Sequence, residues 1–209
     1  MARPGSPTYF KLLYGKSTED GCHLLKIVTA QCLSTDKVNP TSITALQVGK
    51  PFLQNVNGWP LDFVGYAGLT EHNDRGLQAN GLQLDVFMKA FYSGFPWSHR
   101  VKTRLGLGVG VSLAQRAPYI EVSSQAETGK PASRMLNYLD PTLDVSLGDL
   151  LGSRALKDTF IGVGVSPRPG IFGASRLQGK ANGGAHFHTP LGQVSTEAPA
   201  LGRASHPVA

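Results

Sequence analysis

Between Thr103 and Gln115 the chain reads TRLGLGVGVSLAQ. Leu105, Leu107, Val109, Val111 and Leu113 hold one set of alternate positions, and Gly106, Gly108, Gly110, Ser112 and Ala114 hold the other. Successive side chains of a strand point to opposite faces, so one face of this segment is wholly aliphatic and the other nearly bare. Glycine weakens a strand interior, and three of them in register need a reason. Lipid against the aliphatic face, with a narrow interior behind the bare one, supplies that reason. That is the arrangement of a transmembrane β-barrel. A soluble β-barrel or sandwich shares the alternation, so this segment alone does not choose between them.

A second segment carries the same signature. In Thr159–Ser166 (TFIGVGVS), Ile161, Val163 and Val165 oppose Gly162, Gly164 and Ser166, and the repetition favours the barrel. Leu82–Phe91 (LQLDVFMKAF) puts Leu82, Leu84, Val86, Met88 and Ala90 on one face and Gln83, Asp85, Phe87, Lys89 and Phe91 on the other. Asp85 and Lys89 therefore project to one side, where a polar interior accepts them. Leu61–Glu71 and Thr142–Leu150 also alternate, the latter with Leu143, Val145 and Leu147 against Asp144, Ser146 and Gly148.

Strands are expected near 8–15, 22–33, 42–49, 61–71, 81–92, 101–115, 141–150 and 158–166. The expected fold is all-β: an antiparallel up-and-down transmembrane β-barrel of about eight strands. Residues 116–139 break the rhythm, with Pro118 and Pro131 around a polar stretch and ASRMLNYL (132–139) fitting two turns of helix. This reads as an outer loop. Residues 1–176 are expected to form the barrel domain. After Arg176 alternation is lost among Gly, Ala, Pro, Ser and His, so 177–209 read as an irregular, disordered tail. At most one short closing strand is expected there, within 183–192 and broken by Pro190, with an unstructured end from about Ser195.

Composition agrees with such a barrel and excludes other classes. The chain has no run of about 18 apolar residues, which rules out a transmembrane helix but not strands of about 9–11 residues with polar alternate positions. Its net charge of +6 suits an anionic surface, but the charges are scattered without a basic tract, so nucleic acid is not an expected partner. Cys22 and Cys32 end one expected strand about 30 Å apart, too far to bridge, so both read as free thiols. The opening MARPGSPTYFKLLYGK has no charged n-region before an apolar h-region, so no secretory signal is expected in it, which sits awkwardly with export.

Motifs that suggest chemistry have plainer readings. Gly106–Gly110 invites a dinucleotide fingerprint, but its third glycine falls at Val111 and no helix is expected to follow. His186 and His188 stand two apart without further ligands at a useful spacing, so they read as a solvated pair rather than a metal site. Glu71, His72 and Asp74 read as a charged hairpin tip. Asp62, Asp85, Asp144 and Asp149 are candidates for a shared polar interior satisfied by Lys89 and Arg104. Trp59 and Trp97 fit either an aromatic girdle or ordinary packing. No cofactor and no metal are expected.

GVSPRPGIFG at 164–173, Gly183-Gly184, GFPW at 94–97, TRLGLGVGVS at 103–112 and LNYLDPTLDVSLGDL at 136–150 together carry a resemblance. The chain resembles, over roughly residues 8–184, a family of proteobacterial outer-membrane β-barrel proteins. In outline that family is similar to the lipid A deacylase (acyloxyacyl hydrolase) barrels. The resemblance implies a bacterial outer-membrane location, with outer-membrane lipid or lipopolysaccharide as the partner. Deacylases carry a His-x-Ser pair on a late strand and a Glu further on. The corresponding positions here are Pro167 and Pro169, which serve neither as base nor as nucleophile, and Ser166 would lie on the opposite face of a strand. No catalytic residue is expected. The expectation is a structural or cell-envelope barrel, with a degenerate member of its family as one form of it; the alternatives are a lipid A acyl-ester hydrolase and a soluble lipocalin-like carrier of an apolar ligand.

Overall fold

The computed structural model describes residues 7–17, 41–117, 119, 122, 134–167 and 181–191 of the 209-residue chain. Eight strands run in chain order: β1 (Thr8–Ser17), β2 (Ser42–Leu53), β3 (Leu61–Asn73), β4 (Gly81–Tyr92), β5 (Thr103–Ala114), β6 (Met135–Ser146), β7 (Phe160–Pro167) and β8 (Ala181–Leu191). Each pairs antiparallel with the next, and β8 returns to β1 from Thr8↔Leu191 to Ser17↔Asn182, closing the barrel. Closure leaves no free sheet edge along β1, where unpaired N–H and C=O groups would otherwise stand open. The all-β, antiparallel barrel of eight strands expected from the alternation is the one observed.

Alternation sorts the side chains as the pattern requires. In β4 every second residue from Gly81 to Lys89 is buried, while Leu82, Leu84, Val86 and Met88 are exposed. The β5 aliphatics Leu105, Leu107, Val109, Val111 and Leu113 are all about half exposed (46–53%), and the glycines between them face inward. Leu12, Leu46, Leu69, Met135 and Ile161 extend the apolar belt around the other strands. The outer face is thus largely aliphatic, while the interior combines polar and charged side chains with aromatic and aliphatic ones.

Several local features differ from the sequence expectations. The strand expected at 141–150 runs instead from Met135 to Ser146, and the helix expected at 132–139 is absent from its described part. Leu136, Tyr138, Asp140, Thr142 and Asp144 form one inward row, continuous through Pro141. Proline is tolerated there because pairing of β6 with β7 starts only at Thr142↔Gly164, so no β7 carbonyl wants the missing N–H. Leu147–Leu151 form a short helix, α1, rather than the end of a strand. Ser146 caps it by accepting from the Asp149 N–H at 3.1 Å, and Gly152 ends it at φ +66°. A second proline, Pro51, sits at the irregularity where β2 shifts register against β3. The expected strand 22–33, both cysteines and Pro169 lie outside the described residues.

Candidate functional site: a filled interior and a basic mouth

Inward rows from eight strands meet inside the barrel and bond to one another. At the centre, Lys11 and Lys89 each donate to Asp140 Oδ2 at 2.7 Å, and all three are essentially buried. Nearer the mouth where β1 begins, Asp144 accepts from Arg104 Nη2 at 3.0 Å and from His186 Nε2 at 2.8 Å. Arg104 Nη2 also lies 3.0 Å from His188 Nδ1. A guanidinium only donates, so Nδ1 accepts and the His188 proton sits on Nε2, 2.8 Å from the Tyr66 hydroxyl. Toward the other end, Asp85 accepts from Thr70 at 2.5 Å, from Ser112 at 2.6 Å and from Gln83. Asp85, Asp140 and Asp144 thus share the lumen with Lys11, Lys89 and Arg104.

Aromatic rings fill what the ion pairs leave. Tyr66, Phe87 and Tyr138 stack in sequence with centroids 5.0 and 4.1 Å apart, and Gln47 donates to the Tyr138 hydroxyl at 2.9 Å. The bare face of β5 makes this packing possible. A Cβ on Gly110 would lie 2.5 Å from the Phe87 Cα, and one on Gly106 2.5 Å from the Lys89 Cε.

The residues singled out by sequence are only partly brought together. Asp85 and Asp144 do face the interior, but on separate sets of partners. Asp62 lies at the mouth and accepts from the Asn55 N–H at 2.9 Å, while Asp149 on α1 accepts from the Lys102 N–H at 2.8 Å. Of the expected cations, Arg104 pairs with Asp144, but Lys89 pairs with Asp140. Asp140 and Lys11 were not singled out, although the inward alternation run back from Asp144 reaches Asp140. The reading of His186 and His188 as a solvated pair is overturned: both are buried inside the barrel on Asp144, Tyr66 and Arg104. Glu71 and His72 point to opposite sides of β3, so that hairpin cluster is divided. Pro167 ends β7. No group of three or more metal-ligating side chains occurs among the described residues.

Asp74, at the far mouth, is 2% exposed and is held above the usual carboxylate range by burial, against the Tyr119 N–H and the charge of Arg116. Its Oδ2 has no partner among the described residues. A carboxyl raised in the folded state favours folding more as pH falls toward its unfolded value of about 4. Asp74→Asn is expected to raise stability at pH 7 and to flatten the gain seen on acidification, checked by urea unfolding at several pH values.

At the near mouth the interior opens into a chamber of about 840 Å³. Its walls come from the inner ends of β1, β3, β5, β7 and β8 and from the connections after β4 and α1. Tyr9, Arg104 and Phe160 line it among others, with Lys102, Arg154 and Lys157. Compared with protein-family models, with curated proteins and with solved structures, the chain matches none of them.

Proposed function

We propose that this chain is a membrane-spanning β-barrel of a bacterial outer membrane, with a structural role in the envelope and a lumen closed to through-flow. The observation that carries the reading is the inversion of polarity: a half-exposed aliphatic belt outside, ion pairs and hydrogen bonds inside. In lipid such a belt is solvated by acyl chains, and outer-membrane lipid or lipopolysaccharide is then its partner. Strand lengths support it, since seven of the eight strands run 10–13 residues and a tilted span needs about 9–11. So does the placement of Trp59 (67% exposed) and Trp97 (50% exposed) in connections at one end, where an aromatic girdle meets the interface. The connections at that end span 54–60, 93–102 and 147–159, while the opposite end carries the longer 18–41 and 115–134, the asymmetry of outer-membrane barrels.

The other readings find less support. A carrier of an apolar ligand needs an apolar cavity, and this lumen holds Lys11, Lys89, Arg104 and their carboxylates. An acyl-ester hydrolase needs a nucleophile on its base. His186 has an orienting Asp144, yet no serine or threonine hydroxyl bonds to either histidine among the described residues.

The test is Val109→Arg, at the middle of β5 on the outer face. In vesicles of outer-membrane lipid the substitution is expected to cost about 2–4 kcal/mol in urea titrations. A cost within about 0.5 kcal/mol, as for an ordinary surface site in water, refutes the reading.

A further inference from the structure

We infer that the mouth chamber is a binding site for a small soluble organic anion bearing a phosphate or carboxylate group. The chamber opens within the ring of strand ends, lined by inward residues of β1, β3, β5, β7 and β8 and by the exposed connections 93–102 and 152–159, on the lumen side of the wall rather than on the outer belt. The inference therefore stands whether or not the barrel sits in lipid.

Charge gives the sign of the ligand. Among the described residues, Lys102, Arg104, Arg154 and Lys157 line the chamber against Asp62 and Asp158. Lys102 and Asp158 are paired at 3.2 Å, and Asp62 is occupied by the Asn55 N–H. No ion pair involving Arg154 or Lys157 is formed among the described residues.

Arg104 gives the geometry. Both of its hydrogen bonds, to Asp144 and His188, leave from Nη2. Its guanidinium carbon lies 3.5 Å from the Phe160 ring centre and 4.4 Å from that of Phe91, which fixes the plane of the group. The side chain keeps 13% of its surface at the chamber floor, and Nη1 has no partner among the described residues. A planar, immobilised guanidinium with donors to spare suits a carboxylate or phosphate. Tyr9, tilted against His188 at 4.7 Å, provides an aromatic wall beside it. A volume of about 840 Å³ accommodates a ligand of sugar-phosphate size.

The test uses the refolded full chain in uncharged detergent and isothermal titration. Glucose 6-phosphate and citrate serve as anionic probes, with glucose as the uncharged control. Saturable binding of an anionic probe without binding of glucose is expected. The double variant Arg154→Gln/Lys157→Gln, at exposed side chains of the connection between α1 and β7, is expected to weaken it about tenfold. Arg104→Lys keeps the charge but loses the fork, and a comparable loss is expected there. Absence of saturable binding of both anions, glucose binding as tightly as its phosphate, or an unchanged affinity in the double variant would each overturn the assignment.

Discussion

Asp140→Asn is expected to lower the stability of the refolded barrel by about 3–5 kcal/mol, the cost of leaving a buried charge unpaired. Asparagine keeps the size of the side chain but removes the anion that both Lys11 and Lys89 contact, each at 2.7 Å. Two ammonium groups, both essentially without solvent, then face each other across a neutral amide. Urea midpoints in vesicles or micelles measure the loss. Adding Lys89→Met removes one of the stranded charges and is expected to recover a large part of the deficit, so the two substitutions combine far from additively. A drop below about 1 kcal/mol for Asp140→Asn alone would mean that water reaches the centre of the lumen.

Gly110→Val is expected to cost about 3 kcal/mol, at the upper end of what overpacking a filled interior exacts. The obstacle is backbone: an added Cβ meets the Val86 carbonyl and, at 2.5 Å, the Phe87 Cα of the neighbouring strand. Neither moves without breaking the β4–β5 ladder, which pairs Phe87 with Gly110. Gly65 is the control. It lies in β3 on the outer side, and its Cβ would meet only Phe52 Cδ1, at 4.0 Å. Gly65→Ala is expected to change stability by less than about 0.5 kcal/mol. Equal costs at the two positions would mean that strand propensity, not the close approach, dominates.

The contrast between those two glycines also shows what the sequence makes legible. Where alternation was regular, as from Leu82 to Phe91 and from Thr103 to Ala114, faces could be assigned residue by residue, and Asp85, Lys89 and Arg104 fell inside as the pattern implied. Reading failed where a residue type carries a strong local meaning that the sheet overrides. A helix is expected over 132–139 and a strand only from 141, yet β6 runs unbroken through Asp140 and Pro141 because its neighbour strand asks nothing of Pro141. Leu147–Leu151 looked like a continuation of alternation, yet Ser146 and Asp149 cap a helix. His186 and His188 stood in a Gly- and Pro-rich context that suggests solvent, but pairing with β1 and β7 turns both inward. Partnership across the lumen was not legible at all. Lys11 and Asp140 are 129 residues apart, and only closure of the barrel sets them 2.7 Å from each other.

Depth and medium of the outer belt can be read by spin labels. In a chain with Cys22→Ser and Cys32→Ser, single cysteines at Leu84 and Val109 carry a nitroxide outward from β4 and β5, after refolding into vesicles. Oxygen partitions into hydrocarbon, whereas a charged nickel chelate stays in water, so relaxation by each reports the surroundings of the label. Both labels are expected to be relaxed strongly by oxygen and shielded from nickel, with nickel access returning for a label in the 93–102 connection. Strong relaxation by nickel at Leu84 and Val109 would place the aliphatic belt in water and contradict the membrane-spanning barrel.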